Sequence, residues 1–329
     1  DFANLADLIY SDRKIIEDEP VDSSKEIISI NNSPEFRCFI YKKLEFELKD
    51  GDVIFCNTEQ IYNLFYHLKK SKIVKDLTLI THQTDKLITE QIFNKKPDCI
   101  KKWFSVNIGY QNENLISIPI GLASDFSLKN LTSKDFPSLT VDRYLKEKIS
   151  LYINFQTNTN YKERRGLYKQ FSNEDWVYLD KPDLNKSKYL DNLKNFSFVL
   201  CPWGNGVDTH RLWEALYSGS IPITKRHPTY EATKDLPVLF VNTYEEINLE
   251  LLRDFMDNLE IEKINLNKLS KEYWGEVICN NRENANYEKF KENKYETYYF
   301  LIKRKLKNKF YSYKKKIKTF KNRVEGKLS

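Results

Sequence analysis

Short runs rich in Ile, Leu, Val and Phe alternate with segments whose apolar residues recur at helical spacing. This alternation restricts the fold more than any other feature of the chain. The runs at 25–30 (KEIISI), 52–58 (DVIFCNT), 76–83 (DLTLITHQ) and 115–123 (LISIPIGLA) read as strands, and 59–72 and 87–95 as helices between them. A polar stretch at 124–148, rich in Ser, Thr and Lys with Pro137 near its middle, reads as a domain boundary. The pattern then restarts. Strands are expected at 149–155, 175–180, 196–203, 220–224 and 237–241, and helices at 161–171, 188–195, 208–219, 245–259 and 269–278. Strand–helix–strand order implies an α/β fold with mostly parallel sheets covered on both faces. Two such units in succession predict two doubly wound, Rossmann-like domains facing each other across a cleft, with ligand at the carboxyl ends of the strands.

Composition narrows the class. With 40% hydrophobic and 14% aromatic residues, the 329-residue chain has the material for real cores. No apolar run approaches the roughly 18–20 residues that span a bilayer. The first residues, DFANLADLIYSDRK, lack a basic region followed by an apolar core, so no signal peptide is expected. The five cysteines (Cys38, Cys56, Cys99, Cys201, Cys279) are odd in number and form no C-x-x-C pair. Free thiols in a reducing cytoplasm are the expectation. The net charge of +6 hides an asymmetry. Residues 301–329 hold twelve Lys/Arg against one acid, Glu325, a local +11 that leaves −5 for the other 300 residues.

One stretch carries chemistry. In 201–223, CPWGNGVDTHRLWEALYSGSIPI, three of the chain's nine glycines (Gly204, Gly206, Gly219) fall within sixteen residues. A buried strand, a Gly-rich turn and a helix entered at Asp208 or Thr209 make an anion site: bare backbone approaches the ligand and the helix dipole favours negative charge. Arg211, one turn in, suits a diphosphate. Glu214, three residues on and on the same face, suits the hydroxyls of a ribose. The pair therefore points to a nucleotide, though an ordinary capped helix with a surface ion pair would show the same residues. Neither G-x-G-x-x-G nor G-x-x-x-x-G-K-[ST] is present, so no dinucleotide fingerprint or P-loop is indicated.

GNGVDTHRLWEALYSGSIPI resembles the nucleotide-sugar-binding segment of exostosin-like glycosyltransferases: Gly-x-Gly, Asp, a basic residue, Glu-Ala-Leu, Gly and a closing Ile-Pro-Ile. THQTDK (81–86), IKKWFSVN (100–107) and ISIPIGL (116–122) resemble acceptor-side segments of bacterial and ribitol-xylosyltransferase-like members. LYINFQTNTNYKERR (151–165) resembles the first strand and helix of the family's second domain. The resemblance implies the GT-B fold, with an acceptor-side domain at 1–135, a donor-binding domain at 145–284 and a basic helical tail at 285–329. It also implies inverting transfer from a nucleotide-sugar, often a UDP-sugar, without a metal or other cofactor. Carried over by position, Gly204, Asn205, Gly206 and Asp208 form the donor loop, with Arg211 for phosphate and Glu214 for ribose; Asn154, Arg164 and Arg165 add phosphate contacts. The absence of the transmembrane anchor and paired cysteines of the lumenal eukaryotic members favours a bacterial cytoplasmic enzyme.

Inverting transfer needs a base for the acceptor hydroxyl. THQTDK follows a first-domain strand, so Asp85 is the first choice and His82 the second, with Trp103 and Phe104 weighed as sugar-stacking aromatics against core residues. The four histidines (His67, His82, His210, His227) have no i,i+4 pair, so no metal site is expected. The tail interleaves its cations with Phe310, Tyr311, Tyr313, Ile317 and Phe320, and reads as a segment for an anionic membrane surface rather than nucleic acid. The expectation is a glycosyltransferase acting on a glycan or lipid-linked acceptor in surface polysaccharide synthesis, on the inner face of the membrane. The alternative is a non-catalytic, basic-tailed module with a degenerate transferase fold.

Overall fold

Runs of side chains buried on both faces become parallel strands in each half of the chain. The computed structural model describes residues 2–10, 45–123, 130–136, 139–182, 185–278 and 286–291, with shorter pieces between 14 and 40 and between 293 and 317. Two compact units emerge. The first comprises residues 1–105, 110–116 and 275–329, and the second 106–109 and 117–274.

The six-stranded sheet of the first unit holds β1 (Leu8–Tyr10), β2 (Glu26–Ile27), β3 (Val53–Asn57), β4 (Leu77–His82), β5 (Ile100–Ser105) and β6 (Leu115–Ser117). They lie in the order β6-β5-β4-β3-β1-β2. β1 pairs in parallel with both β2 and β3, so the winding reverses at β1. The helix α1 (Ile61–Leu68) follows β3 and buries Ile61, Leu64, Phe65 and Leu68. Of the expected strand at 25–30, Glu26–Ile27 forms β2 and Ile30 opens a further strand, Ile30–Ser33, while the expected helix at 87–95 is a single turn, Glu90–Phe93. β1 and β5 were not anticipated. β5 begins at the buried Ile100, and the next two residues, Lys101 and Lys102, break its apolar run.

In the second unit the strands are β7 (Leu151–Ile153), β8 (Val177–Leu179), β9 (Phe198–Leu200), β10 (Ile221–Lys225) and β11 (Leu239–Val241). Their order is β8-β7-β9-β10-β11, every pair parallel. The winding turns back at β7, between β8 and β9, which is the switch point of a doubly wound sheet. β7 and β9 are wholly buried, as strands covered on both faces must be. Pro222 is tolerated inside β10 because pairing with β11 begins only at Ile223, after the position where the missing N–H would be needed. The helices α2 (Lys186–Asn195), α3 (His210–Tyr217) and α4 (Leu249–Asp257) surround this sheet in sequence. α3 buries Leu212, Trp213, Ala215 and Leu216. It stops at Gly219, whose φ of +73° is left-handed and where a Cβ would stand 2.6 Å from the Arg143 Cβ.

The domain limits differ from those expected at 135 and 145. Residues from 117 onward belong to the second unit because hydrogen bonds hold them there: the Ile120 amide donates to Asp208 and His210 reaches the Gly121 carbonyl. The tail expected at 285–329 begins with a strand. Tyr287–Lys291 pairs antiparallel with Glu45–Lys49 in the first unit. Glu288 on that strand accepts hydrogen bonds from Ser71 Oγ and from the amides of Lys72 and Val74.

Candidate functional site

The switch point between β7 and β9 is where the second unit places its most distinctive chemistry. β9 ends at Leu200, the chain turns through Pro202–Gly206, and α3 starts after Thr209. Two neighbouring helices are capped in the ordinary way: Asn185 accepts from the Lys188 amide at 2.9 Å, and Asn248 from the Leu251 amide at 2.9 Å. Thr209, the cap residue of α3, makes no such bond. Its Oγ1 is buried and without a hydrogen-bond partner, as are Trp203 Nε1 and Arg211 Nε. These three groups lie within nine residues of one another, on the turn and the first turn of the helix. A helix N-terminus leaves amide N–H groups to be satisfied by a side chain, water or ligand, and its dipole attracts an anion. Here Thr209 supplies no cap; the Asp208 carboxylate takes the Thr209 amide and the Leu212 amide reaches the Thr209 carbonyl, while the amides of the first turn before it and three side-chain groups, two of them donors only, face no such partner.

Arg211 is the cation of this cluster. Burial works against its charge, but Tyr189, Glu214 and Cys201 outweigh that and hold the guanidinium above its ordinary value. Glu214 is itself buried, with 9% of its surface exposed, and accepts a hydrogen bond from the Tyr189 hydroxyl at 2.7 Å. The alternative of a surface Arg211–Glu214 ion pair does not describe this site. The carboxylate is walled in by α2 and already holds Tyr189, while the half-buried arginine retains an unused donor. Nearby, Lys225 pairs with Glu163 at 2.7 Å and sits 4.5 Å over the Trp203 ring. His227 stands edge-on to the same ring.

Several other residues assigned to the donor loop serve its architecture. Asp208 is buried. Its carboxylate accepts from the Ile120 amide at 2.8 Å and from Trp213 Nε1 at 2.9 and 3.0 Å, and its own amide donates to Asn107 Oδ1. Burial pushes its carboxyl up to about 7, against the pull of those hydrogen bonds. In the structure it ties these segments together. Arg164 is engaged in a similar way. Its guanidinium donates to three backbone carbonyls, of Gln156, Pro202 and Trp203, at 2.9–3.0 Å, and so shapes the turn from beneath. Burial and the proximity of Arg211 draw it down to about 10. Gly204 gives its N–H to the Gly206 carbonyl at 3.0 Å, so that amide is not offered to an anion. A Cβ there would be in contact with Arg164 and Thr209, each at 3.4 Å. Gly206 is buried and Asn205 exposed on the same turn. Asn154, at the end of β7, is buried and donates to the Lys181 carbonyl at 3.0 Å. Arg165 is exposed just past the one-turn helix Tyr161–Arg164.

The groups that sequence reasoning missed are Trp203, Thr209 and His210. His210 Nδ1 lies 2.7 Å from the Gly121 carbonyl. A carbonyl only accepts, so Nδ1 carries the proton and Nε2 is left open. The signal for Thr209 was its place before the helix; that it does not cap is a property of the fold.

In the first unit, His82 ends β4, where its carbonyl accepts from Thr58 Oγ1 and its ring leans on Phe2. Asp85 is exposed on the following turn. Trp103 and Phe104 are fully buried, and Trp103 Nε1 donates to Thr81 Oγ1 at 2.7 Å; both are core and neither is a sugar platform. Among the described residues no cluster of His, Cys, Asp or Glu has the makings of a metal site. Cys56, Cys99 and Cys201 form no disulfide.

No protein-family model matches the chain, and neither does any curated protein. Among solved structures it is similar to AviGT4, a glycosyltransferase involved in avilamycin A biosynthesis, at 11% identity and a TM-score of 0.33, covering 69% of this chain and 81% of that one. It is also similar to an α1,3-fucosyltransferase with GDP-fucose (12% identity, TM-score 0.29, 70% of this chain and 71% of that one). A further α1,3-fucosyltransferase structure matches at 15% identity and a TM-score of 0.30, over 67% and 69%. At TM-scores this low the likenesses do not by themselves assign this chain a family or an activity.

Proposed function

We propose that the chain is a glycosyltransferase that takes a sugar from a nucleotide donor, a UDP-sugar in the first instance, and passes it to a glycan or lipid-linked acceptor with inversion and without a metal. The observation that carries this reading is the uncapped N-terminus of α3, with Arg211 Nε, Trp203 Nε1 and Thr209 Oγ1 buried and unpartnered beside it at the switch point of a parallel sheet. The motif spanning 204–223, which resembles a nucleotide-sugar segment, falls on those same residues. A diphosphate supplies the acceptors these groups lack. In transfer, negative charge grows on that diphosphate as the glycosidic bond breaks, and fixed N–H dipoles and a guanidinium stabilise it without reorganising. Asp85 is assigned to take the proton of the acceptor hydroxyl, ahead of His82.

The test is calorimetry with UDP, GDP, CMP and dTDP and their sugar conjugates. Arg211→Lys keeps the charge and removes Nε, and Arg211→Ala removes both. A lost charge-assisted hydrogen bond costs roughly 1.5–3 kcal/mol, so each variant should bind about ten- to a hundred-fold more weakly. Unchanged affinity in both variants, or a parent chain that binds none of these compounds, would overturn the reading.

A further inference from the structure

The described residues between 294 and 317 are helical and expose an apolar stripe. Its start is defined. Asn293 Oδ1 accepts from the Glu296 amide at 3.0 Å while Glu296 Oε2 accepts from the Asn293 amide at 3.0 Å, a reciprocal capping box. Glu296 also joins this root to the first unit, through the Tyr66 hydroxyl at 2.9 Å and Lys70. From 294 to 317 every described residue is helical, apart from those at the boundary of the cap.

Along that helix Tyr295, Ile302, Leu306, Phe310, Tyr313 and Ile317 recur at intervals of 7, 4, 4, 3 and 4 residues, close to the 3.6-residue turn, so they share one face. All six are exposed: Tyr295 by 86%, Leu306 by 64%, Phe310 by 59% and Tyr313 by 69%. Lys303 and Lys314 flank the stripe on one side and Lys309 and Lys316 on the other. Lys314 Nζ lies 4.9 Å from the Phe310 ring, at the border of the stripe.

We infer that this stripe is a membrane-surface element, lying along an anionic bilayer with its aromatic and aliphatic side chains among the acyl chains and its lysines at the headgroups. A second copy of the helix is a poor occupant, since residues 301–329 carry twelve cations and one acid and two such faces repel. Nucleic acid would use the charge but leave the apolar stripe in water. Only an anionic interface takes both. No helix among the described residues is long and apolar enough to cross a membrane, so the contact is superficial. It is independent of what the second unit binds.

The experiment is co-sedimentation of the whole chain with vesicles of neutral phosphatidylcholine and with vesicles also containing phosphatidylglycerol. The parent chain should pellet with the anionic vesicles and stay in solution with the neutral ones. Leu306→Ser with Phe310→Ser leaves the charge unchanged and touches no packed side chain, and should lower the partition coefficient at least about tenfold. Leu306→Trp in the otherwise intact chain should shift its emission to the blue on adding anionic vesicles. Equal sedimentation of the double serine variant would mean that charge alone binds and would overturn the inference. So would a parent chain that ignores anionic vesicles, or one that retains a short oligonucleotide in their presence with no change in tryptophan emission.

Discussion

Asp208 carries the sharpest lesson at the scale of single residues. From sequence it is an acid at the mouth of a Gly-rich turn; in the fold it holds Ile120 and Trp213, with Asn107 on its amide. Those partners are up to 101 residues away in the chain, so no local pattern announces them. Asp208→Ala should leave two buried N–H donors without an acceptor, at about 1–3 kcal/mol each, read as a lower denaturant midpoint. The pH dependence follows from its raised pKa. The unfolded carboxyl loses its proton near its ordinary value of 3.8, whereas the folded one keeps it to about 7. The native state therefore binds more protons across that window. This group's contribution is fully present below the lower value and is lost as pH rises through the upper one. Asp208→Asn should flatten the stability profile between about pH 4 and 7, and a profile of unchanged slope would contradict the assignment. Asp85 tests the proposed chemistry. General-base assistance is worth roughly 10²–10⁴-fold, so Asp85→Asn should lower kcat by that factor with donor affinity unchanged. If His82→Ala abolishes turnover while Asp85→Asn does not, the two roles are exchanged.

At the scale of elements, α3 is legible and its ending even more so. The apolar spacing of Leu212, Trp213, Ala215 and Leu216 and the glycine at 219 mark its extent in the sequence, and the structure agrees to within two residues at either end. Gly219→Ala should cost more than the usual glycine penalty, because a left-handed φ and the approach of Arg143 both oppose a Cβ; about 1–3 kcal/mol is expected in unfolding experiments. What could not be read was the state of its other end. Thr209 looks like a cap and does not act as one. Thr209→Asn should fill the role, raising stability by about 0.5–1 kcal/mol while weakening nucleotide binding, since an N–H group engaged by a cap no longer serves a phosphate. A variant that gains stability with full nucleotide affinity would show that the N-terminus is not the ligand's. The strand Tyr287–Lys291 is the opposite case. It lies in a run of charges that reads as tail, and only its pairing with Glu45–Lys49, some 240 residues earlier, makes it part of a sheet.

At the scale of the whole molecule, the proposed donor site makes two demands. A donor present at 100 times its Kd should raise stability by about 2.7 kcal/mol, visible as an upward shift in Tm. Turnover should also survive EDTA, because the helix N-terminus and Arg211 are the groups proposed to neutralise the leaving diphosphate; complete loss restored by Mg²⁺ or Mn²⁺ would contradict that. The sequence by itself determined the α/β class, the parallel strands of the second unit and the place of the Gly-rich turn before a helix. Each depends on periodicity and backbone freedom within about twenty residues, which side-chain pattern records directly. Tertiary structure alone decided which charges were available. Arg164 and Asp208 are consumed by carbonyls and N–H groups, Glu214 is closed off by Tyr189, and Arg211 is left with an open donor. Whether a polar group has a partner depends on chain segments brought together by folding, and no window of sequence contains them.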